Sequence, residues 1–355
     1  MLPYDNVIVS EIEEQRPKIP VGLLSRDEKD RLIERGVLGL YRWYVARSQA
    51  TRNWNPDKDV DWVNIRQDHL PEINRILEGY FAVEQFVPDY VSELVQLVRG
   101  SQGRSHFQLR WGSEEEKHAD LWQNAVLFSR QRTPDWVRQY MTDLRQNSWT
   151  LPWEGDPLRM LFYTVFQERA TQINYLNLGV IAKGQSKIEK YQDSADPVLV
   201  RACQLIAVDE AAHYNFFLEA ARLYLYYYPT RALEAMHDVI KYFAMPAGGL
   251  IPDYDKFSEI VYQAAIYGPR EHAKDVVQTA LNNLGVASRK ALENGIRNLR
   301  QVPDEHGNLR ETATFEGLDY FHIEDAAKRL FGKVISYEKE VGFDLVDPTT
   351  FVPAT

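Results

Sequence analysis

Cysteine is nearly absent: Cys203 is the only one among 355 residues. A single thiol makes no internal disulfide and builds no thiolate zinc or iron-sulfur site, so a metal bound by this chain must be held by oxygen and imidazole. The neighbours of Cys203, in VRACQLIAV, mark it as a small buried hydrophobe. No apolar run approaches the roughly 20 residues that a membrane-spanning helix requires. Basic residues are not in excess: 41 Lys and Arg stand against 51 Asp and Glu, and a net charge of -10 with a pI near 5.4 argues against nucleic-acid binding. The opening stretch, MLPYDNVIVSEIEEQRPKIP, lacks the basic start and apolar block of a secretory signal, so the expected location is the cytoplasm. Low-complexity tracts and fixed-period repeats are missing too.

What is abundant is helical periodicity. Apolar residues recur three and four apart, and the turn signals NWNPDKDVDW, SQGRS, LPWEGDP and VPDEHGN separate the periodic stretches. The pattern predicts helices over 26–48, 72–99, 114–131, 134–147, 157–184, 196–227, 229–244 and 256–295, and a shorter one over 323–340. The expected fold class is all-α, with a helical bundle over 53–295, a peripheral segment over 1–52 and a C-terminal extension over 296–355.

Within that bundle, EEEKHADLW at 114–122 admits two readings. In one, Ser113 caps a helix whose first turn, Glu114 to Glu116, complements the helix dipole, and His118 is incidental. In the other, Glu115 and His118 are half of a metal site. DEAAH at 209–213 repeats the spacing, with Glu210 three residues ahead of His213 and Asp209 preceding it as Glu114 precedes Glu115. Positions three apart share a helix face, so each pair directs one carboxylate and one imidazole at a common point.

A carboxylate-bridged dimetal site also takes one glutamate from each of two further helices. Glu84 in YFAVEQFVPDY and Glu168 in FYTVFQERATQ stand among aromatic and aliphatic residues just upstream of each Glu-x-x-His. Either alone fits an arginine pair at a bundle seam. Taken together, four buried carboxylates need cations to remain ionised, and two divalent metals answer that need. Pro88 cannot donate to the carbonyl of Glu84, so the helix should be distorted there, or end. Asp209 and Trp54 are candidate partners for the outer nitrogens of the histidines, because a metal-bound imidazole donates its other N–H. Trp111 fits near the site or in plain core packing.

In order and spacing, VEQFVPDY, RWGSEEEKHADL, YTVFQERAT, VDEAAH and AMPA resemble the soluble acyl-carrier-protein desaturases over about residues 53–280. MPAGGLIPDY and IYGPREHAKDVV are more similar to bacterial members than to plant ones. The resemblance implies a ferritin-like bundle, a homodimer, and two iron ions held by Glu84, Glu115, His118, Glu168, Glu210 and His213, with Glu115 and Glu210 bridging. Thr171 matches a threonine beside the oxygen-binding side of the cluster; capping a backbone carbonyl is its alternative role. The implied activity is dioxygen-dependent desaturation of a saturated acyl chain on acyl carrier protein, with electrons from a ferredoxin-like donor. A diiron hydroxylase or oxidase on the same carrier-bound substrate, and a ferritin-like iron-binding protein, are the alternatives. The sequence departs from the family in having EEKHAD for ENRHGD, and Glu84-Gln85 for a Glu-Glu pair.

Two further expectations concern the substrate. An acyl channel along the helices of Glu84 and Glu168 would be walled by Val91 and Val95 and by Met160 and Leu161, two or three turns from those ligands. Because the carrier is acidic and the chain net negative, docking needs a local basic patch. Arg42, Arg47, Arg52 and Arg66, with Lys328, Arg329 and Lys333, are its candidates.

Overall fold

The computed structural model describes residues 24–297, 300–303, 307–312 and 318–342. Its helices are α1 (Arg26–Thr51), α2 (Pro71–Glu84), α3 (Val87–Leu97), α4 (Gln102–Phe128), α5 (Pro134–Leu144), α6 (Pro157–Ala182), α7 (Pro197–Tyr227), α8 (Pro229–Tyr242) and α9 (Tyr254–Gln263). After a turn, α10 (Pro269–Glu271) runs through a π-helical stretch, His272–Gln278, into α11 (Thr279–Asn283), followed by α12 (Arg289–Arg297) and α13 (Tyr320–Val341). The all-α expectation holds for the bundle. An antiparallel hairpin of β1 (Arg300–Pro303) and β2 (Leu309–Thr312) is a small addition that the periodicity did not signal.

The two helices with the longest mutual packing start with the same device. Asp156 precedes Pro157 and Asp196 precedes Pro197; each aspartate accepts from two backbone N–H groups of the first turn, and each proline occupies a position whose N–H has no intrahelical partner. α6 and α7 pack along each other, α2 and α3 pack on α4, and α4 also meets α7. α1 lies on α4 and α7 and is covered in turn by α13, where Arg35 and Glu338 form a buried ion pair at 3.0 Å. Among the described residues no helix is long and apolar enough to cross a membrane.

Three helices differ from the periodic pattern. The stretch at 72–99 is two helices, since Pro88 enters as the second residue of α3 and the chain turns at Gln85 and Phe86, directly after Glu84. α4 starts twelve residues before the expected 114, capped by Ser101, and Ser113 lies inside it with its hydroxyl on the Arg110 carbonyl. Gly103 does not break that helix. A Cβ there would stand 2.6 Å from the Leu38 backbone nitrogen, so glycine is what lets α1 and α4 touch. The 256–295 stretch is interrupted at Ala265, which adopts φ 54°, and again between α11 and α12.

Candidate metal centre

The four central helices bring all six residues with metal-ligating side chains to one place. Glu84 is the last residue of α2, Glu115 and His118 lie on α4, Glu168 on α6, and Glu210 and His213 on α7. They form two quartets, Glu84–Glu115–His118–Glu210 and Glu115–Glu168–Glu210–His213, with ligand atoms within 4.8 Å of one another in each. Glu115 and Glu210 belong to both. All six are buried, both histidines completely.

Each imidazole points Nδ1 inward and Nε2 outward. His118 Nδ1 lies 3.6 Å from Glu115 Oε2 and 3.5 Å from Glu210 Oε1, and His213 Nδ1 lies 2.9 Å from Glu115 Oε1 and 3.3 Å from Glu168 Oε2. The outer nitrogens cross over. His118 Nε2, on α4, faces Asp209 of α7 at 3.4 Å; His213 Nε2, on α7, faces Glu114 of α4 at 3.0 Å. Behind Asp209, the Trp54 indole donates at 2.9 Å and Lys117 at 3.0 Å, and the Trp54 ring stacks on His118. Behind Glu114 are the hydroxyls of Tyr44 and Ser48 and the guanidinium of Arg110. Arg52 joins the two sides, 3.2 Å from Asp209 and 3.7 Å from Glu114.

Burial and mutual repulsion govern the inner carboxylates. Loss of water, then Glu115, pushes Glu84 up to about 8. Glu210 is raised well above the carboxylate range by burial and by Glu115 and Glu168, and Glu168 is raised mainly by burial. Burial would raise Glu115 as well, but the two histidines outweigh it and bring it to about 2, while His118 rises to about 9 against its own desolvation. Without cations the cluster is thus balanced by protons. Glu115 Oε1, Glu168 Oε2, His118 Nδ1 and His213 Nδ1 are buried with no hydrogen-bond partner. Orphaned donor-capable atoms of carboxylate and imidazole, converging in two overlapping quartets, suit a pair of divalent cations.

Hydroxyls line the rim of the cluster. Thr171 lies 2.8 Å from Glu210 Oε2, to which its hydroxyl can donate, and also reaches the carbonyls of Gln167 and Glu168. Tyr175 donates to Glu84, and Tyr90 to Glu115 at 3.4 Å.

Three cavities meet here. One of about 720 Å³, lined by Tyr80, Phe243, Tyr254, Phe257 and Tyr267 among others, touches Val83, Gln167, Thr171 and Met245. These four also wall a second cavity of about 50 Å³, against Glu84, Glu115, Glu168 and Glu210. A third, of about 10 Å³, lies deeper, and Leu94, Met160 and Thr164 wall both it and the second.

Several expectations are refined. Trp54 bonds to Asp209 rather than to a histidine. Met160 does line the cavities, with Leu161 at the deeper one, but Val91 and Val95 line none of the three; the break after Glu84 changes the phase of α3 and turns Leu94 inward instead. Arg52 is buried between two carboxylates and leaves the basic patch. Trp111 sits edge-on to His213 and packs against Tyr90 and Phe217, so it does both things expected of it. The roles of Glu114, Tyr44, Ser48 and Tyr175 were not read from the sequence. For Glu114 a signal existed: the acid preceding each Glu-x-x-His is the partner of the other helix's histidine.

A family model described as fatty acid desaturase matches residues 50–311. Stearoyl-[acyl-carrier-protein] 9-desaturase 6 of Arabidopsis thaliana is 28% identical over 212 residues, covering 56% of this chain and 52% of that protein. Stearoyl-[acyl-carrier-protein] 9-desaturase 1 of Oryza sativa subsp. indica is 27% identical over 219 residues, covering 57% and 54%. The chain thus spans about half the length of these curated relatives. A solved protein from Mycobacterium tuberculosis H37Rv, DesA2, shares the fold with TM-score 0.52 and 19% identity, over 74% of this chain and 98% of that one.

Proposed function

The chain belongs to the fatty acid desaturase family, and from that premise we propose that it removes two hydrogens from adjacent methylenes of a saturated acyl chain on acyl carrier protein, using dioxygen. The observation that carries this reading is the pair of Glu/His quartets whose four glutamates line a narrow cavity, which shares Val83, Gln167, Thr171 and Met245 with a wide one. In this reading two iron ions, when bound, supply the reduction of dioxygen and the abstraction of hydrogen from an unactivated C–H bond.

The residues divide the remaining work. Glu115 and Glu210 would bridge, Glu84 and Glu168 would bind terminally, and His118 and His213 would each complete one quartet. Glu114 is hydrogen-bonded to the outer nitrogen of His213 at 3.0 Å and Asp209 faces that of His118 at 3.4 Å, so each carboxylate is placed to hold its ring in one tautomer. Thr171 holds a proton at Oγ1, on Glu210 and at the junction of the cavities, where a substrate carbon would arrive. The apolar wall from Leu94 to Met160 keeps the chain in place and water out, because a displaced chain would be oxidised at another carbon. Residues 53–295 are the catalytic unit in this proposal, with 1–52 and 296–355 as its flanking extensions.

A ferredoxin-like protein would supply electrons, and Trp54 donates to Asp209, which in turn faces His118 at 3.4 Å. A homodimer in the cytoplasm fits the family and the acidic, cysteine-poor composition. For the carrier, the mouth of the wide cavity matters more than overall charge. α1 and α13, which bear Arg42, Arg47, Lys328, Arg329 and Lys333, pack on α7 and on each other, whereas the wide cavity is walled by α2, α6 and α9. Lys256, Arg270 and Lys274 are exposed beside Phe257, Pro269 and His272 of that cavity and are the better placed bases for an acidic partner.

The test is metal analysis of the purified chain together with mass spectrometry of products from a reconstituted assay with carrier-bound saturated chains. Two irons per chain and a mono-unsaturated product are expected. A hydroxylated product would move the chain to the hydroxylase alternative, iron without any organic product to the iron-binding one, and a single zinc would sink the diiron reading. Light scattering reports on the dimer separately.

A further inference from the structure

The wide cavity is walled by aromatic side chains with polar ones between them, Gln167, Thr171, Asn174, Ser258 and Glu259, and it also holds a tyrosine–histidine pair. Tyr267 precedes α10, and His272 opens the π-helical stretch; the tyrosine hydroxyl and His272 Nδ1 are 2.9 Å apart, and both residues line the cavity. The imidazole ring is packed on Phe243, with centroids 4.9 Å apart, which fixes its plane. Burial lowers the proton affinity of His272 and raises that of Tyr267, so both are neutral near pH 7. No other described group bonds to the tyrosine hydroxyl. With the imidazole neutral, a tyrosine hydroxyl donating to Nδ1 matches the tautomer that carries its proton on Nε2. Nε2 has no hydrogen-bond partner among the described residues and is left as a donor on a side chain that lines the cavity.

The segment bearing this donor is fastened to the helix of Glu168 and Thr171. Arg169, next to Glu168, donates from Nε to the Asp275 carbonyl at 3.1 Å, inside the π-helical stretch. Asn177 donates to the Ile266 carbonyl at 2.7 Å, one residue before Tyr267. The separation between His272 and Thr171 is therefore set by side chains of α6 gripping the cavity wall. A flexible acyl chain has no polar mark along its length, so the carbon it presents to an oxidising centre is chosen by how far that centre lies from an anchored head.

We propose that His272 is a positioning residue which donates from Nε2 to a carbonyl oxygen of the substrate, in the thioester or in the first amide of the carrier arm, and so sets which methylenes reach Thr171 and the carboxylates. The proposal rests on the desaturase reading for its consequence, but the carbonyl contact can be measured without turnover. The metal-loaded full chain is titrated calorimetrically, without oxygen, with a saturated acyl ethyl thioester, the matching N-acetylcysteamine thioester, and the alkyl ethyl thioether that lacks a carbonyl. One net hydrogen bond predicts that the wild type prefers a carbonyl-bearing probe by roughly three- to tenfold. Preference already present with the ethyl thioester assigns the thioester; preference appearing only with N-acetylcysteamine assigns the amide. His272→Phe, which keeps a ring against Phe243, should abolish the preference, and Tyr267→Phe, which frees the tautomer, should reduce it. In turnover, His272→Phe should spread the double bond over neighbouring positions with metal content unchanged. Equal wild-type affinity for all three probes, or full preference in both variants, overturns the proposal. Retained carbonyl preference in a wild type that forms no unsaturated product would instead remove the desaturase reading and leave the anchor standing.

Discussion

In one half of the metal centre His118 leans on Asp209, backed by Trp54 and Lys117; in the other His213 leans on Glu114, backed by Tyr44, Ser48 and Arg110. Inside, the halves match residue for residue: one unshared glutamate, one histidine and the same two shared glutamates. The difference teaches where chemistry constrains a sequence and where it does not. The inner atoms must present oxygen and nitrogen at fixed positions, which leaves little freedom. An outer carboxylate needs only enough donors to stay ionised, and an indole with an ammonium serves as well as two hydroxyls with a guanidinium. Arg52 contacts both carboxylates and ties the unlike surroundings together.

The comparison breaks most completely if a shared residue is removed. Glu115→Ala or Glu210→Ala takes a ligand from both quartets and should cost both metal ions together, with loss of activity. His118→Ala takes a ligand from one, and should leave a chain holding close to one ion. Metal content by mass spectrometry, read beside circular dichroism to confirm folding, separates these outcomes; a clean loss of one ion from Glu115→Ala would deny it the bridging role.

The outer carboxylates come next. Asp209→Ala and Glu114→Ala each strip one histidine of its partner, which predicts about a 10- to 100-fold loss of metal affinity confined to one ion. Tyr44→Phe and Trp54→Phe sharpen this by leaving the carboxylates in place. Each deletes one hydrogen bond to a buried charge, worth about 1.5–3 kcal/mol, and the stability losses by denaturant unfolding should be comparable if the two backings are equivalent. A loss seen only for Tyr44→Phe would mean that Lys117 and Arg52 suffice for Asp209.

How much of this was legible beforehand follows the same division. The paired Glu-x-x-His motifs and the two lone glutamates were readable because ligand spacing is set by the helix repeat. So was the distortion at Pro88, since a missing N–H is a local fact. Tyr44 and Ser48 were not, because they reach Glu114 from a helix about 70 residues upstream whose packing depends on Gly103 and on the buried Arg35–Glu338 pair. The start of α4 was misread for a related reason: a glycine was taken as a turn signal where tertiary contact required it inside a helix. The channel wall on α3 was misplaced by a change of phase that Pro88 announced but periodicity alone could not measure. The π-helical stretch has no local signature in the sequence; it is held in place by Arg169 from another helix.

A smaller effect is expected on the cavity side, where the halves are unlike again: Thr171 donates to Glu210 on the Glu168 side, and Tyr175 donates to Glu84 on the other. Thr171→Val keeps the shape and removes the hydroxyl. Loss of about 1 kcal/mol of hydrogen bonding to the carboxylate sets a fall in turnover of about five- to tenfold, with metal content unchanged. An unchanged rate would assign the hydroxyl to its bonds with Gln167 and Glu168.

The smallest effect concerns the floor of the narrow cavity, which the two halves close from opposite sides, with Leu94 from α3 and Met160 from α6. Beyond them lies about 10 Å³, space for a single water, so an acyl chain entering past Thr171, as proposed, would meet a wall there. Met160 is buried, and its thioether is the longer and more adaptable of the two side chains. Met160→Ala removes Cγ, Sδ and Cε and should join the two spaces, lengthening the room for a chain. The substitution should also destabilise the fold by about 2–5 kcal/mol, the usual result of cutting a buried Met to Ala, so the preference must be read at a temperature where the variant remains folded. Competition among carrier-bound chains of graded length should then show a few-fold shift towards longer chains for Met160→Ala and a weaker shift in the same direction for Leu94→Ala. Stability lost with no change in preference, in both variants, would make the two residues packing partners and put the end of the channel elsewhere. A shift for Leu94→Ala alone would mean that the chain runs along the Glu84 half, with Met160 already folded out of its path.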